Sequence, residues 1–281
     1  MKFFKVQATG NDFILVERKW IKKHKIEELS PILCDRHFGI GSDGILIVDK
    51  EDGLYKMTML NPDGSEAMCG NGLRAFIRYL LEKGYIKKKS FEVKTIKGIN
   101  KIIIENNLIK ASLGSPIFER EKIPFAKQGA TPAIDEEIEA GDKVFKATLV
   151  SMGNPHAVIF VDDPDKIDIK KYGPIIENHK LFPKRTNVEF AKLVDRNNII
   201  MRVWERGAGI TLACGTGTAA TVVAARLKNL VDKKVVVHLL GGEIEIEIEY
   251  DNDEVLMKGD ASIVFSGEIS PENLYYRQVK I

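Results

Sequence analysis

A cysteine followed by a glycine-rich turn and a long uncharged stretch constrains this chain more than any other feature. The stretch is Cys214-Gly-Thr-Gly-Thr-Ala-Ala-Thr-Val-Val-Ala-Ala225, and the next charged residue is Arg226. A helix that is apolar on every side is a buried helix, so we expect this one at the centre of a domain. Cys214 would lie at its N-terminus, where free N–H groups and the helix dipole predict a lowered thiol pKa and a site for a carboxylate.

A second cysteine has the same surroundings. Cys69-Gly-Asn-Gly72 leads into apolar residues at helical spacing, and Lys83-Gly84 is a typical helix stop. These apolar residues are Leu73, Phe76, Ile77, Leu80 and Leu81. Two Cys-Gly-X-Gly helix starts in one chain need a common explanation. The third cysteine, Cys34, has no glycine turn beside it, and we expect it to be a small buried residue.

Several landmarks recur at a nearly constant distance along the chain. The offset is 143 to 145 residues for four pairs: Gly10-Asn11 and Gly153-Asn154, Cys69 and Cys214, Gly98 and Gly242, and Asn107 and Asn252. Solenoid repeats have far shorter periods. We therefore interpret the pattern as the duplication of a whole domain.

Short β-branched runs between turn residues predict strands around both helix starts. The strict alternation of residues 243–249 predicts an antiparallel strand with one buried face. We expect an α+β fold of two pseudo-symmetric domains, each a mostly antiparallel, β-barrel-like sheet wrapped around a central helix. The domains would span residues 1–115 and 116–264, and the tail 265–281 is a candidate to return to the first. Further helices are expected at 25–36, with a break or a new helix start at Ser30-Pro31, and at 165–172.

Composition excludes several classes of protein. The chain has 281 residues, 44% of them hydrophobic, which is enough for one large or two ordinary domains. A net charge of +2 gives no reason to expect a nucleic-acid or membrane partner. Three cysteines do not make a disulfide framework. Without a signal peptide or a long apolar run, we expect a cytoplasmic protein whose thiols stay reduced.

Two thiols related by duplication suit the inversion of a stereocentre. One base removes a proton from one face of a carbon, an acid delivers a proton to the other face, and the two exchange roles in reverse. Helix N–H groups would stabilise the charge that grows on a substrate carboxylate as its α-carbon loses a proton. Chemistry of this kind needs no cofactor. A zinc site is not expected, because no Cys-x-x-Cys or histidine pair accompanies the cysteines.

The motifs around these residues identify a family. They are Ala8-Thr-Gly-Asn-Asp-Phe13, Asp63-Gly-Ser-Glu66 with Cys69-Gly-Asn-Gly72, Gly153-Asn-Pro-His156, Arg185-Thr-Asn-Val-Glu-Phe190, and Glu205-Arg-Gly-Ala-Gly209 with Ala213-Cys-Gly-Thr-Gly217. They extend over nearly the whole chain and are highly specific in combination. Through them the chain resembles the diaminopimelate epimerase family.

The resemblance implies roles for individual residues. Cys69 and Cys214 look like the acid/base pair that converts L,L-diaminopimelate to the meso form in lysine biosynthesis, without pyridoxal phosphate or metal. His156 and Glu205 resemble residues that tune the cysteine pKa values, and Phe265 occupies the position of an aromatic residue at a homodimer contact. The residues that resemble substrate contacts are Asn11, Asn61, Gly70, Asn71, Asn154, Asn187, Glu205, Arg206, Gly215 and Thr216.

These roles agree with the chemistry of the substrate at its unreacting end. There Arg206 suits a carboxylate through bidentate pairing, and Glu205 suits an ammonium. Two departures from the family pattern concern substrate contacts. Gly44 stands where the family often has glutamine and sometimes glycine, and the spacing from Asn61 to Cys69 is one residue short.

Two other functions remain open from the sequence. One is a proline or hydroxyproline racemase of the same superfamily, although a ring amino acid would leave Glu205 and Arg206 without a partner. The other is a non-catalytic anion-binding protein built on the glycine-rich helix starts. Neither helix start has a phosphate-loop or dinucleotide-binding pattern.

Overall fold

A computed structural model describes residues 1–249 and 253–270 of the chain. The fold is mixed α+β, with strands predominating and four α-helices in the described part. The chain divides into two compact units. Unit 1 is Met1–Ala111 together with the described residues that follow Lys258, and unit 2 is Ser112–Lys258. The predicted domain ends at residues 115 and 264 lie a few residues beyond these divisions.

Short strands and a few helices alternate along the chain. The first elements are β1 (Lys2–Ala8), β2 (Asn11–Glu17), α1 (Ile26–Cys34), β3 (Ile45–Glu51), β4 (Leu54–Leu60), β5 (Glu66–Ala67), α2 (Gly70–Glu82), β6 (Ser90–Thr95), β7 (Gly98–Glu105) and β8 (Leu108–Ser112). The later elements are β9 (Glu136–Ala140), β10 (Lys143–Ser151), β11 (Pro155–Phe160), α3 (Ile169–Glu177), β12 (Asn187–Asp195), β13 (Asn198–Glu205), β14 (Gly209–Ile210), α4 (Gly215–Leu227), β15 (Lys234–Leu239), β16 (Gly242–Ile248), β17 (Val255–Gly259) and β18 (Ser262–Glu268).

The sheet of unit 1 mixes antiparallel and parallel pairs. Strand β1 pairs antiparallel with both β18 and β2, and β2 pairs parallel with β3 across the connection that contains α1. Strand β4 is antiparallel to β3 and parallel to β6, and β6, β7 and β8 form an antiparallel meander. Asn106 and Asn107 both have a positive φ at the β7–β8 turn, a conformation that asparagine tolerates better than most residues.

The sheet of unit 2 repeats this order pair by pair. Strand β10 is antiparallel to β9 and β11, and β11 is parallel to β12 across the connection that contains α3. Strand β13 is antiparallel to β12 and parallel to β15, and β15, β16 and β17 form the second meander. The same succession of pairings in both units is what the predicted duplication requires. Asn252, one of the sequence landmarks, lies outside the described residues.

Each unit has a buried helix in its core. Every residue of α4 from Gly217 to Ala225 is buried, as the uncharged sequence predicts, and the helix packs with strand residues of unit 2. Helix α2 fills the corresponding place in unit 1, where Leu73, Phe76, Ile77 and Leu80 are buried. The alternation in β16 is also confirmed, since Ile244 and Ile246 are buried and both neighbouring strands are antiparallel.

Two helix predictions need correction. Helix α1 continues through Pro31 without the expected break. Pro31 and Glu27 are both exposed, so water can bond the carbonyl that the missing proline N–H leaves unpaired. The helix expected at 165–172 begins later, at Ile169, because Asp168 accepts a bond from the backbone N–H of Lys171 and caps it there. Among the described residues, none of the helices combines the length and apolar character needed to cross a membrane.

Candidate active site

Cys69 and Cys214 begin the two central helices, as predicted. Each is the N-cap of a 13-residue helix and has an extended backbone. The Sγ of Cys69 accepts a bond from the N–H of Gly72 at 3.5 Å, and that of Cys214 accepts one from Gly217 at 3.4 Å. The two units therefore hold their cysteines in the same local geometry.

Asn11 and Asp43 determine the surroundings of Cys69. The thiol of Cys69 donates to Asn11 Oδ1 at 3.3 Å, and Asn11 Nδ2 donates to Asp43 Oδ2 at 2.6 Å. Asp43 also accepts from the backbone N–H of Asp12 at 3.1 Å. Asp43 therefore decides which end of the Asn11 amide faces the thiol.

Two cations, Arg36 and Lys5, form ion pairs with the neighbouring carboxylates of Asp12 and Asp43. Arg36 Nη2 lies 2.6 Å from Asp12 Oδ1 and 2.7 Å from Asp43 Oδ1, and Lys5 forms an ion pair with Asp12. Burial acts to raise the pKa of Asp12, but hydrogen bonds from Arg36 and Lys5 outweigh it and lower the pKa. The loop from Arg36 to Asp43 is therefore held by charge against the start of β2.

Gly44 and Asn61, the two departures from the family pattern, both lie in local contacts of unit 1. A Cβ on Gly44 would lie 2.6 Å from the carbonyl oxygen of Leu60, so this backbone leaves no room for the family's glutamine. Asn61 donates to Ser65 Oγ at 3.0 Å and so bonds within its own turn.

A buried arginine lies beside Cys69. Arg74 is fully buried and donates to Thr9 Oγ1 at 2.7 Å, Asn71 Oδ1 at 2.9 Å and the Asp260 carbonyl oxygen at 3.3 Å. Burial lowers the pKa of the Arg74 guanidinium to about 10, and the charges of Cys69 and Asp260 oppose this shift. Arg74 thus stays charged at neutral pH, and its positive charge interacts with Cys69.

The pKa expected for Cys214 is wrong in direction. Burial raises the pKa of this thiol well above its usual value, and the charges of Glu205 and Glu189 raise it further. Hydrogen bonds with Thr216 and from the Gly217 N–H oppose the shift without reversing it. Loss of water and two nearby carboxylates therefore outweigh the helix N-terminus, and Cys214 is a thiol at neutral pH.

Glu205 and Arg206 follow directly from β13 into a tight turn. The Glu205 carboxylate accepts a bond from Thr211 Oγ1. Burial raises the pKa of Glu205, against opposing hydrogen bonds with Thr211 and Cys214. The side chain of Arg206 is exposed and donates to the Lys184 carbonyl oxygen at 3.1 Å.

Asn187 braces this turn. Its Oδ1 accepts from the backbone N–H of Arg206 at 2.9 Å, and its Nδ2 donates to the Pro155 carbonyl oxygen at 2.8 Å. Both ends of this buried amide are therefore engaged within unit 2. Glu177 supports the same turn, because it accepts from Trp204 Nε1 at 2.7 Å and from the Gly207 N–H at 2.9 Å.

His156 lies at the centre of a buried polar chain. Its Nδ1 is 2.7 Å from Glu189 Oε1, and its Nε2 is 3.1 Å from Asn154 Oδ1. The charge of His156 also acts on Glu205, whose pKa it lowers. Unit 2 thus brings Glu205 and Glu189, the partner of His156, into the surroundings of Cys214, while unit 1 brings Asn11 to Cys69.

Four polar residues in these networks had no predicted role. Each is a charged side chain that supports a predicted site residue: Asp43, Arg74, Glu177 and Glu189. The sequence does indicate a buried role for two of them, because Arg74 and Glu189 interrupt apolar runs that must be buried. A charged residue in such a run needs a buried partner. The partner itself is distant in sequence and could not be named.

Gly217 and Gly72 occupy equivalent positions and offer a matched test of the packing at the two helix starts. A Cβ on Gly217 would lie 2.5 Å from Glu189 Oε1, whereas one on Gly72 would lie 3.2 Å from the movable end of Leu46. We expect Gly217→Ala to destabilise the fold by about 1–3 kcal/mol through overpacking. Gly72→Ala should be nearly neutral, because alanine also favours the helix by about 1 kcal/mol. Chemical unfolding of both variants measures this, and equal losses would show that Glu189 can move aside.

Among residues 1–249 and 253–270, no group of three or more His, Cys, Asp or Glu side chains is arranged to hold a metal ion.

Phe265, the predicted dimer contact, lies on β18 with 49% of its surface exposed. Its ring packs edge-to-face on Phe3 at a centroid distance of 6.1 Å.

Known structures share this fold at low sequence identity. A phenazine biosynthesis protein of the PhzF family from Bacillus anthracis matches with a TM-score of 0.71 at 16% identity, over 96% of this chain and 99% of that one. A hydroxyproline epimerase from Agrobacterium vitis, with bound trans-4-hydroxy-L-proline, matches with a TM-score of 0.67 at 13% identity, over 96% and 90%. These likenesses show the fold alone.

Sequence comparison is more specific. The diaminopimelate epimerase of Methanococcus maripaludis is 45% identical over 276 residues, which cover 96% of this chain and 99% of the relative. That of Agathobacter rectalis is 45% identical over 284 residues, with the same coverage of both chains. The sequence profile described as diaminopimelate epimerase matches residues 3–118 and 148–264. The matches include both cysteine-capped helices, and the chain therefore belongs to the diaminopimelate epimerase family.

Proposed function

We propose that Cys69 and Cys214 are the two bases with which this chain converts L,L-diaminopimelate to the meso form. The family is one of isomerases in lysine biosynthesis, and its activity is diaminopimelate epimerisation. The observation that carries the two-base proposal is that both thiols cap glycine-rich helices in the same hydrogen-bond geometry. Each thiol can then exchange a proton with one face of the α-carbon.

The two thiols differ in their charge environment. Cys214 lies near two carboxylates and holds its proton, so it is the acid of the resting protein. Cys69 donates to Asn11 but also lies beside the positive charge of Arg74. When the substrate ammonium takes the Asn11 oxygen as its acceptor, the Cys69 thiol loses that bond and releases its proton to water, because the Arg74 charge favours the thiolate. Substrate binding would thus create the base.

The helix starts hold the reacting carboxylate. Backbone N–H groups of Gly70-Asn71 and Gly215-Thr216 would donate to it, and these bonds strengthen as the α-carbon loses its proton. The distal end of the substrate would be held by Arg206, Glu205 and asparagine amides. Arg206 suits that role because its side chain is exposed and its turn is fixed by Asn187 and Glu177. The other proposed amides at this end are Asn61 and Asn154, whereas Asn11 would accept from the ammonium beside the reacting carbon.

Higher-order features of the fold are part of the same proposal. We infer two pseudo-symmetric domains in which each sheet curves around its central helix, which the repeated strand pairings support. We also infer a homodimer formed through β18, where the exposed ring of Phe265 would contact a second copy.

A proline or hydroxyproline racemase is the second candidate, and the hydroxyproline epimerase that shares the fold is the reason to test it. A ring amino acid has no distal charged groups. Glu205 and Arg206 would then face no substrate group, which is unfavourable for a half-buried carboxylate such as that of Glu205.

Exchange of the α-proton in D2O separates the candidate functions. We expect deuterium incorporation with L,L-diaminopimelate, and incorporation with L-lysine that is about 10- to 150-fold slower, because bonds to the distal carboxylate are lost. L-proline should incorporate none, and a protein that only binds anions would give no exchange with any of the three. Exchange with L-proline at the rate of diaminopimelate would replace this proposal with the second candidate.

A further inference from the structure

Both ring nitrogens of the buried His156 face oxygen atoms. Nδ1 lies 2.7 Å from a carboxylate oxygen of Glu189, and Nε2 lies 3.1 Å from the side-chain oxygen of Asn154. A neutral imidazole carries only one N–H, so one ring nitrogen would then face an acceptor without a hydrogen between them. An imidazolium carries both hydrogens and satisfies both oxygens.

The partner of His156 is a buried carboxyl group with one oxygen that lacks a hydrogen bond in the described part of the chain. Glu189 is completely buried, and its second oxygen, Oε2, has no hydrogen-bond partner among the residues that the structure describes. An ionised carboxylate without full hydrogen bonding is costly in a protein interior unless a cation neutralises it. The only basic group paired with Glu189 among the described residues is the His156 ring, whose side chain is also completely buried.

This pair lies against the start of α4. His156 is on β11, Glu189 is on the adjacent parallel strand β12, and a Cβ on Gly217 would come within 2.5 Å of Glu189 Oε1. Gly217 in turn donates its N–H to the Cys214 sulfur. The other titratable group at this place is Glu205, at the end of β13, which interacts with both Cys214 and His156.

We propose that Glu189 is a positioning residue that holds His156 as an imidazolium, so that Cys214 faces a neutral ion pair instead of a lone buried carboxylate. A lone carboxylate would hold the proton on Cys214 too tightly for the thiol to release it. The fixed ion pair lets Cys214 alternate between thiol and thiolate during turnover. The link to catalysis rests on the proposed two-base function, whereas the charge of the ring does not.

Nitrogen NMR of the histidine side chains tests the ring charge without any turnover. The chain has five histidines, and His156→Asn identifies the signal by its loss. We expect both ring nitrogens of His156 to carry hydrogens at neutral pH in the wild type. A ring with one protonated nitrogen would overturn the proposal, because it would place the proton on Glu189 or reverse the Asn154 amide.

Three variants test the role of the carboxylate. Glu189→Gln should leave His156 with one protonated nitrogen, while Glu189→Asp should keep the imidazolium. Glu247→Gln is a matched control, since Glu247 is also a buried carboxylate of unit 2 but pairs with Lys233 and Lys234 on another part of the sheet. An imidazolium that persists in Glu189→Gln would contradict the assignment.

The pH profile of α-proton exchange tests the link to Cys214. His156→Asn leaves Glu189 as a lone carboxylate, whose charge raises the pKa of Cys214, so this thiol should lose its proton only at higher pH. We expect the alkaline limb of the profile to move up by about one pH unit in His156→Asn and to stay in place in Glu189→Gln, where the ring and the amide are both neutral. An unchanged profile in His156→Asn would refute the link. Absence of exchange in the wild type would instead refute the proposed function and leave the NMR result standing.

Discussion

Replacing either Cys69 or Cys214 with alanine should lower the rate of diaminopimelate epimerisation about 10²- to 10⁴-fold, the usual contribution of a positioned acid or base. Each alanine removes one of the two proton carriers and a helix cap. Loss of the cap costs on the order of 1 kcal/mol, which a chain of this size should tolerate. Epimerisation rate and thermal unfolding, measured on the same preparations, separate loss of chemistry from loss of fold.

Cys34 provides the control for these substitutions. It is a buried thiol that accepts a bond from Ser42 Oγ at 3.3 Å, and burial raises its pKa. Cys34→Ala should therefore keep the wild-type rate with a small loss of stability. A Cys69→Ala or Cys214→Ala variant with near wild-type turnover would contradict the assignment of these two cysteines as the two bases.

Measuring α-proton exchange separately from each stereoisomer of diaminopimelate shows on which face of the carbon each thiol acts. If the thiols act on opposite faces, each alanine variant should lose α-proton exchange from a different isomer of diaminopimelate. Both variants losing exchange from the same isomer would assign the two thiols to one face.

The position of both thiols could be predicted from the sequence because it depends on local chemistry. A cysteine before Gly-X-Gly and an apolar run can only begin a buried helix, and Cys69 and Cys214 do so. The alternation in β16 and the asparagine turn at Asn106-Asn107 were predictable for the same reason, since each depends on neighbouring residues alone.

The electrostatics of the site depend on contacts between distant residues. The expected low pKa of Cys214 considered only its own helix, whereas Glu189 and Glu205 arrive from two other strands. Strand β12 is buried on both faces, so its pattern does not reveal that Glu189 points towards α4 and His156. Arg74 is similar, because its acceptors Thr9 and Asp260 are far from it in sequence.

Arg74 and Arg78 allow the buried charge beside Cys69 to be tested against a matched neighbour. Both lie on α2 and bind the segment between β17 and β18, Arg74 through the Asp260 carbonyl and Arg78 through the Ala261 carbonyl at 2.8 Å. Only Arg74 also binds Asn71 and interacts with the charge of Cys69. The two arginines thus share a structural role, and Arg74 alone reaches the proposed base.

Arg74→Met and Arg78→Met should each destabilise the fold by about 2–4 kcal/mol, because buried acceptors lose their donors. Only Arg74→Met should also slow epimerisation, by roughly 10- to 100-fold, since the Cys69 thiolate loses its positive neighbour and an opposite charge shifts such a group by about 1–2 pKa units. Arg74→Lys, which keeps the charge but not the planar set of donors, should recover part of the rate and little of the stability. Urea unfolding and steady-state rates measure the two effects separately. Equal rate losses in Arg74→Met and Arg78→Met would show that Arg74 has only a structural role. The proposal that its charge stabilises the Cys69 thiolate would then be wrong.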